Sequence, residues 1–417
     1  MYQWNDEHQM IRAAVRQYVE AEIEPLRDEL EFGDLPPYDL LRGLFATFGM
    51  DQMARDGFDR AIERERAAQV GEDPNGESAK PAVPAEGAAR DPSMTLIPII
   101  ELCRVCPGMV TAMGVSIGLT ASAIMSKGTI DQKVRWARDL LSFDKIGAWA
   151  ITEPGSGSDA FGSMKASAKR DGDGYLLSGS KTFITNGPYA DTIVFICKLD
   201  EGNPPEERAI LQFVLDTGME GLTQSKPLRK MGIHSSPTGE LFLDEVRVGP
   251  DRLLGESEEA FRGAGGRSAS KATFSIERAG VAAMALGIVE RCLELSVAYA
   301  KDRVQFGRPI GEFQLIQLKL ARMEVARLNI ENLVFRFIEM GAAGEQVGFA
   351  EASAAKLYAA QAATEVAMEA VQLFGGNGYM SEYPVEQLAR DAKVLQIYAG
   401  TDEIQISQIA RSLLADV

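Results

Sequence analysis

The hydrophobic period of this chain changes twice along its length, and a fold built from one kind of layer cannot accommodate that. Near the start, Met10, Ile11, Ala14, Val15, Tyr18 and Val19 recur at helical spacing after an Asn5-Asp6-Glu7 opening suited to capping and to the helix dipole. Pro25 ends or kinks that pattern. From about Lys145 the pattern shortens to β-type runs at Ile151, Phe183-Ile184, Ile193 to Ile196, Ile210 to Val214 and Leu241 to Leu243, separated by Gly, Asn, Asp and Pro. From about Ala272 helical spacing returns in four long stretches, 273–302, 311–341, 345–374 and 384–415, with short Gly- and Pro-containing breaks. The pattern predicts an α+β chain, mainly α. It divides into an N-terminal helical domain (1–144), a middle antiparallel β domain (145–256) and a C-terminal antiparallel four-helix bundle (257–417).

Composition removes several classes. A chain of 417 residues can bury a large core without disulfides or structural metal. Its net charge of -17 opposes phosphate contact, and so argues against nucleic acid or an anionic membrane surface as partner. Cys103 and Cys106 form a CxxC, but their neighbours Ile99, Ile100, Leu102 and Val105 are apolar and no second CxxC accompanies it, so they read as small buried hydrophobes. The two histidines, His8 and His234, are too far apart in sequence to suggest a metal site. Val105 to Ser126 carries no charge and is long enough to span a bilayer. Its Pro, Gly, Ser and Thr content favours a buried core helix. The first residues lack a secretory pattern, and a cytoplasmic location is the expectation. Residues 59–93 turn from charged to rich in Ala, Pro, Gly and Glu, and read as an exposed excursion from the helical domain.

Five segments carry chemistry. Ala150 to Asp159 (AITEPGSGSD) follows a strand and turns sharply, and Gly155 and Gly157 allow close backbone approach to a phosphate or a polar ring edge. Lys181 to Gly187 (KTFITNG) places an aromatic ring, a hydroxyl and an Asn-Gly turn at a strand end. Arg303 to Ile310 (RVQFGRPI) sits at a helix–helix break, where Arg can hold an anion and Phe can cover a ring. Gln372 to Tyr379 (QLFGGNGY) and Tyr398 to Gln405 (YAGTDEIQ) follow. Each alone reads as a turn, a cap or a loop.

In this order and in these domains, the five stretches make the chain resemble the acyl-CoA dehydrogenase family almost from end to end. The resemblance implies the family's fold: an N-terminal helical domain, a middle β-barrel-like domain and a C-terminal four-helix bundle. It also implies FAD as cofactor, an acyl-CoA substrate, an electron-transfer flavoprotein as electron acceptor and a homotetramer built as a dimer of dimers. By the same resemblance Ala150, Ile151 and Thr152 contact the flavin. Ser158 meets the pyrophosphate or the thioester nucleotide, Phe183 covers the ring and Thr185 reaches N5. Arg303, Phe306 and Gln314 reach the FAD of a neighbouring subunit. Gln372 and Gly376 hold pyrophosphate, and Thr401 and Glu403 contact phosphate and adenosine. Phe274, Arg278, Tyr398 and Gly400 line the substrate.

The chemistry removes an α-proton beside a thioester, a weak acid, and so requires a carboxylate that is desolvated and aimed. The family's usual Glu precedes Gly-Thr, where this chain has Ala399. Ala399 keeps its backbone N–H, which can still polarise the thioester carbonyl. A minority of the family, including isovaleryl- and long-chain-type enzymes, carries the base on the first long bundle helix, and Phe274-Ser275-Ile276-Glu277-Arg278 matches that placement. Glu277 is the expected base. The Gly-rich stretch Phe261 to Ser270 and His234, where the family commonly has Arg, are further departures. Two other readings keep the resemblance: a flavin monooxygenase or oxidase of the same fold, and a non-catalytic FAD-binding subunit, which Ala399 permits.

Overall fold

A computed structural model of the protein describes residues 3–69, 91–259, 265–345 and 347–415, with only the backbone described over 265–276. Four helices open the chain: α1 (Asp6–Tyr18), α2 (Arg27–Phe32), α3 (Tyr38–Thr47) and α4 (Met50–Gln69). Asn5 caps α1 by accepting the His8 N–H at 2.8 Å. Before Pro25 the backbone widens into a π-type turn over Val19–Ile23 and then tightens over Glu24–Leu26. The charged residues 59–69, expected as part of an excursion, instead extend α4. Phe58 and Ile62 are buried in the core of the β domain, and Asp59 and Glu65 pair with Arg138 and Lys133. Residues 70–90 of that expected excursion lie outside the described residues, and its last residue, Ser93, is instead buried as the start of a further helix.

The uncharged stretch forms one helical run, α6 (Pro107–Gly114), a π-type segment and α7 (Ser122–Lys127), after α5 (Ser93–Cys103). It is apolar and long enough to cross a membrane by composition, and half of it is buried against protein. The short helices α8 (Ile130–Gln132) and α9 (Arg138–Leu141) lead into the sheet.

The middle strands are β1 (Gly147–Ala150), β2 (Ser167–Asp171), β3 (Gly174–Thr185), β4 (Thr192–Leu199), β5 (Ile210–Asp216), β6 (Leu222–Gln224) and β7 (Thr238–Val248). They form one seven-stranded sheet ordered β1-β4-β2-β3-β7-β6, with β5 paired to β4. The expected all-antiparallel arrangement is corrected here. β1 and β2 both run parallel to β4, because the helix-to-sheet entry at Gly147 and the long excursion after β1 return the chain in the same direction. β4 is buried along its whole length, as a strand with neighbours on both edges should be.

The bundle contains α10 (Gly265–Asp302), α11 (Gln314–Ala342), α12 (Phe349–Phe374), α13 (Val385–Val394) and α14 (Asp402–Leu413). Helix α10 begins inside the Gly-rich stretch read as linker. The last helix, expected unbroken over 384–415, is two helices. Ala399 (φ 53°) and Gly400 (φ 84°) turn left-handed, and the Thr401 side chain caps α14 by accepting the Ile404 N–H.

Helix α10 is the hub. Ala282, Ala283, Ala285, Leu286, Ile288, Val289 and Cys292 have no exposed surface, so apolar residues face every direction around the helix. A Cβ at Gly287 would sit 2.2 Å from the Ile100 carbonyl oxygen, so only Gly permits the close crossing of α10 over α5. Two polar junctions stitch the domains together. Asn186, left-handed at φ 64°, donates to the Ala112 and Gly147 carbonyls at 2.9 Å each and accepts from the Tyr38 hydroxyl at 3.1 Å. His234 places its ring nitrogens 2.7 Å from the Glu31 and Lys230 carbonyls, and Arg390 reaches the Glu31 carboxylate at 3.2 Å.

A buried charge network ties α1 to α5 and α10. Glu101, fully buried, receives Arg12 at 2.7 Å and Arg16 at 2.8 Å, while Arg12 also reaches Glu290 at 2.6 Å. Burial opposes the Glu101 charge, but the Arg16 hydrogen bond and the Arg12 charge overcome it and hold the carboxyl below its usual range. Its stabilisation is present above the unfolded-state value and is lost as pH falls through the folded one. Glu101→Ala takes both bonds from Arg16 and leaves Arg12 with Glu290 alone, and we expect a loss of about 3–5 kcal/mol in denaturant unfolding at neutral pH.

Candidate active site

The first half of the site is the loop leaving β1. Glu153 and Ser156 exchange backbone hydrogen bonds at 3.1 and 3.0 Å, closing a tight turn. The Glu153 carboxylate lies beneath it and accepts the Lys165 and Ala166 N–H groups at 2.7 and 2.9 Å and Lys181 Nζ at 2.9 Å. Lys181, fully buried, also donates to the Ile151 carbonyl at 3.0 Å, and burial pushes its ammonium below the usual lysine range. Thr182 N–H meets the Thr152 carbonyl at 2.9 Å. The loop is therefore fixed from beneath, with Ser158 exposed at its rim. Nothing lies within 4 Å of a Cβ built on Gly155 or Gly157.

On the neighbouring strand the β3–β7 register slips between Lys181 and Ile184, and Phe183 sits in that bulge at φ 57°. The bulge turns Ile184 inward and leaves Phe183 68% exposed. Thr185, half-buried, pairs with Thr238.

The second half lies where α10 and α12 meet the turn before α14. Arg278 is buried, donates to Ser353 Oγ at 2.9 Å and lies 4.1 Å over the Phe349 ring. The ordinary Glu-Arg helix pair is thus not formed as an ion pair, because Arg278 is engaged by α12. Glu277, half-buried, is pushed up to about 7, chiefly by burial, with Arg278 and Lys356 pulling the other way. The Tyr398 hydroxyl lies 3.3 Å from Met284 Sδ and 3.5 Å from Thr111 Oγ1, and burial raises its pKa. Gln405 Nε2 donates to the Ala399 and Gly400 carbonyls at 2.9 and 2.8 Å. The Ala399 N–H meets no protein acceptor among the described residues. The side chain of Phe274 lies outside the described residues.

The residues named from sequence thus fall into groups. Ala150, Ile151, Thr152, Ser158, Phe183 and Thr185 line the loop and bulge of the β domain. Glu277, Arg278, Tyr398, Ala399, Gly400 and Thr401 gather about a third of the way along α10, with Glu403 exposed in the first turn of α14. Arg303, Phe306 and Gln314 follow the C-terminal end of α10. The hairpin β8 (Val304–Gln305) and β9 (Arg308–Pro309) follows α10 and leaves Phe306 94% exposed. Tyr299 stacks on Phe374 at 4.0 Å, so Gln372 and Gly376 share that far end. At 1.5 Å per residue, the helix puts Glu277 and Arg303 about 40 Å apart, farther than an extended flavin dinucleotide reaches. Sequence reading missed Glu153, Lys181, Lys356 and Gln405. Three of these, Glu153, Lys181 and Gln405, stand inside the motif stretches, and only their burial shows their work. Among the described residues no group of three His, Cys, Asp or Glu is placed to hold a metal ion.

Two family models match the chain: the acyl-CoA dehydrogenase middle domain over 148–246 and the acyl-CoA dehydrogenase C-terminal domain over 263–414. An acyl-CoA dehydrogenase of Bacillus subtilis is 37% identical, the match covering 98% of each chain. The structure of butyryl-CoA dehydrogenase from Megasphaera elsdenii superposes with a TM-score of 0.80 at 32% identity, covering 99% of this chain and 100% of that one. A glutaryl-CoA dehydrogenase of Mycobacterium smegmatis in complex with FADH2 gives a TM-score of 0.81 at 26% identity, covering 99% and 95%. The chain belongs to the acyl-CoA dehydrogenase family, FAD-dependent oxidoreductases acting on the CH–CH group of acyl-CoA. The isovaleryl- and long-chain branch suggested by the placement of Glu277 is corrected: the relatives include short-chain-specific enzymes, so the base position alone does not set the branch.

The residues present fit FAD. The backbone is open at Gly155, Gly157, Gly375 and Gly376, the Phe183 ring is uncovered on the β3 bulge, and the Phe306 ring is uncovered on the hairpin that follows exposed Arg303. Lys181→Met would leave the Glu153 carboxylate buried without its cation. We expect about 3–5 kcal/mol less stability in denaturant and a lower FAD content in the purified protein, read as the ratio of flavin to protein absorbance.

Proposed function

We propose that this chain oxidises an acyl-CoA thioester to its 2,3-enoyl thioester, with Glu277 as the base. The observation that carries the assignment is the raised pKa of Glu277, set by burial on α10, in a chain that has Ala399 where the family usually has its glutamate. A carboxylate poised near neutrality is basic enough to take the α-proton and is still ionised at working pH. The Ala399 N–H, offered by the left-handed turn, donates to the thioester carbonyl as enolate-like charge develops. Bound FAD supplies the acceptor for the β-hydride. Ala150, Ile151, Thr152, Phe183 and Thr185 hold and cover its ring. Ser158, Thr401 and Glu403 take polar ends of cofactor or substrate, and Arg278, Tyr398 and Gly400 shape the space around the thioester.

The substrate class we assign is a short acyl-CoA. Supporting it are the match to a butyryl-CoA dehydrogenase and the Tyr398 hydroxyl, which links α6 to α10 through Thr111 and Met284 and fills space between those helices. The electrons pass to an electron-transfer flavoprotein. The working form is a homotetramer in which Arg303, Phe306, Gln314, Gln372 and Gly376 serve the FAD of a neighbouring subunit. The separation of about 40 Å along α10 supports this, since one chain cannot bring both sets to one cofactor.

The test is anaerobic mixing with butyryl-, longer, branched and aryl acyl-CoAs while following oxidised flavin absorbance. Bleaching by a short thioester is expected. Glu277→Gln should slow it by about 10²–10⁴-fold, the usual worth of a general base. A Glu277→Gln protein that reduces at the native rate sinks the assignment. Because the base must be ionised, kcat/KM should rise with pH through about 7 and level off above it. A profile flat from acid to neutral pH contradicts Glu277 as base.

A further inference from the structure

Gln405 on α14 has no exposed surface. Its amide nitrogen reaches two successive carbonyls of the turn before that helix, Ala399 at 2.9 Å and Gly400 at 2.8 Å. Only the NH2 end of an amide can meet a carbonyl, so these two contacts fix which way the side chain faces. The amide oxygen, also buried, meets no donor among the described residues. A buried acceptor left open costs about 1–3 kcal/mol, so packing by itself would favour an apolar side chain here. What the amide adds is its grip on the turn.

The backbone it grips is a costly one. Ala399 stands at φ 53°, a left-handed conformation that costs an L-residue about 1–2 kcal/mol. Gly400 follows at φ 84°, and a Cβ there would sit 2.8 Å from the Gln405 nitrogen, so glycine is what lets the amide reach. The Gly400 carbonyl has a second donor in Lys356 at 2.8 Å. The Ala399 carbonyl has Gln405 alone among the described residues. Without that grip the alanine relaxes toward negative φ, and this rotation about its N–Cα bond swings its N–H relative to the rest of the turn.

We propose that Gln405 is a positioning residue for the reaction: by holding the Ala399 carbonyl it keeps that alanine left-handed and its N–H turned to the thioester carbonyl. This rests on the reading that the Ala399 N–H polarises the thioester. The N–H has no protein acceptor among the described residues, so it is available to a ligand. Gln405 itself need touch neither substrate nor cofactor.

The experiment compares two non-oxidisable ligands by calorimetric titration of holoenzyme whose FAD content and melting temperature match the native protein. One is a butyryl-CoA analogue with sulfur in place of the β-carbon, which keeps the thioester carbonyl. The other is S-butyl-CoA, which has a CH2 in place of that carbonyl. The native protein should prefer the first by about tenfold, the worth of one hydrogen bond to a polarised carbonyl. Gln405→Met is close in shape and has no donor. It should lose most of that preference while binding S-butyl-CoA as before, and its kcat for butyryl-CoA should fall about 10²-fold, as a misplacement of about 1 Å does. A side chain that only supported the fold would weaken both ligands together. A native preference kept in folded Gln405→Met, or equal weakening of both ligands, therefore overturns the proposal. If Gln405→Met does not fold, Gln405→Asn decides, since it keeps an amide but withdraws it by one carbon–carbon bond: a lost preference supports the proposal and a kept one overturns it. Native protein that binds the two ligands alike overturns the carbonyl reading beneath the proposal, so the two failures are distinguishable.

Discussion

The burial of α10 on all sides is the constraint on which the rest of this molecule depends. A helix apolar around its whole circumference must be surrounded, and α5, α11 and α12 do so, with Gly287 against Ile100 setting the closest approach. Alanines along the facing side of α12, among them Ala355, Ala359, Ala363 and Ala367, are fully or almost fully buried and let the two helices pack closely. Glu277 lies about a third of the way along α10, just before its enclosed stretch, and Arg303 just past its C-terminus; both places carry the chemically distinctive residues.

The same core treats two carboxylates in opposite ways. Glu101 is more deeply buried, yet it is held in its charged form because Arg12 and Arg16 satisfy both of its oxygens. Glu277 has cations near it, but their hydrogen bonds go elsewhere: Arg278 to Ser353 and Lys356 to Gly400. Desolvation without direct pairing produces a carboxylate that titrates near neutrality, whereas desolvation with pairing produces a structural anchor. The difference lies in where the guanidinium and ammonium groups point, not in how many there are.

That distinction explains what could be read from the sequence. The change of period from helical to β and back marks the three regions, and the motif stretches fall on the β1 loop, the β3 bulge, the β8–β9 hairpin and the two corners of the bundle. Glu277 stands out in the sequence as a candidate because Ala399 occupies the position where the family usually has its glutamate. The break between α13 and α14 was not, because Leu395, Ile397 and Tyr398 continue an apolar pattern through it and nothing about an alanine announces a left-handed backbone. Lys356 reads as an ordinary solvated helix lysine among alanines, and only the packing of α12 reveals it as buried. The parallel pairing of β1 and β2 with β4 depends on contacts distant in sequence, which alternation within a strand cannot specify. Residues 59–69 were misread because their charges suggest solvent, although Phe58 and Ile62 anchor one face of α4 to the sheet.

The length of α10 turns these local facts into a requirement on the whole assembly. A helix of 38 residues is long enough to separate its ends by more than the reach of one flavin dinucleotide. Cation and aromatic surface at the far end, Arg303 and the almost wholly exposed Phe306, stand at and on a two-stranded hairpin, where among the described residues the Phe306 ring meets the edge of Phe313. An aromatic ring so exposed is a cost to an isolated soluble chain unless another surface receives it. The near end has the complementary deficiency, with open glycines and an uncovered Phe183. In the homotetramer we propose, two such chains related by symmetry would answer both deficiencies at once, with α10 setting the spacing between them.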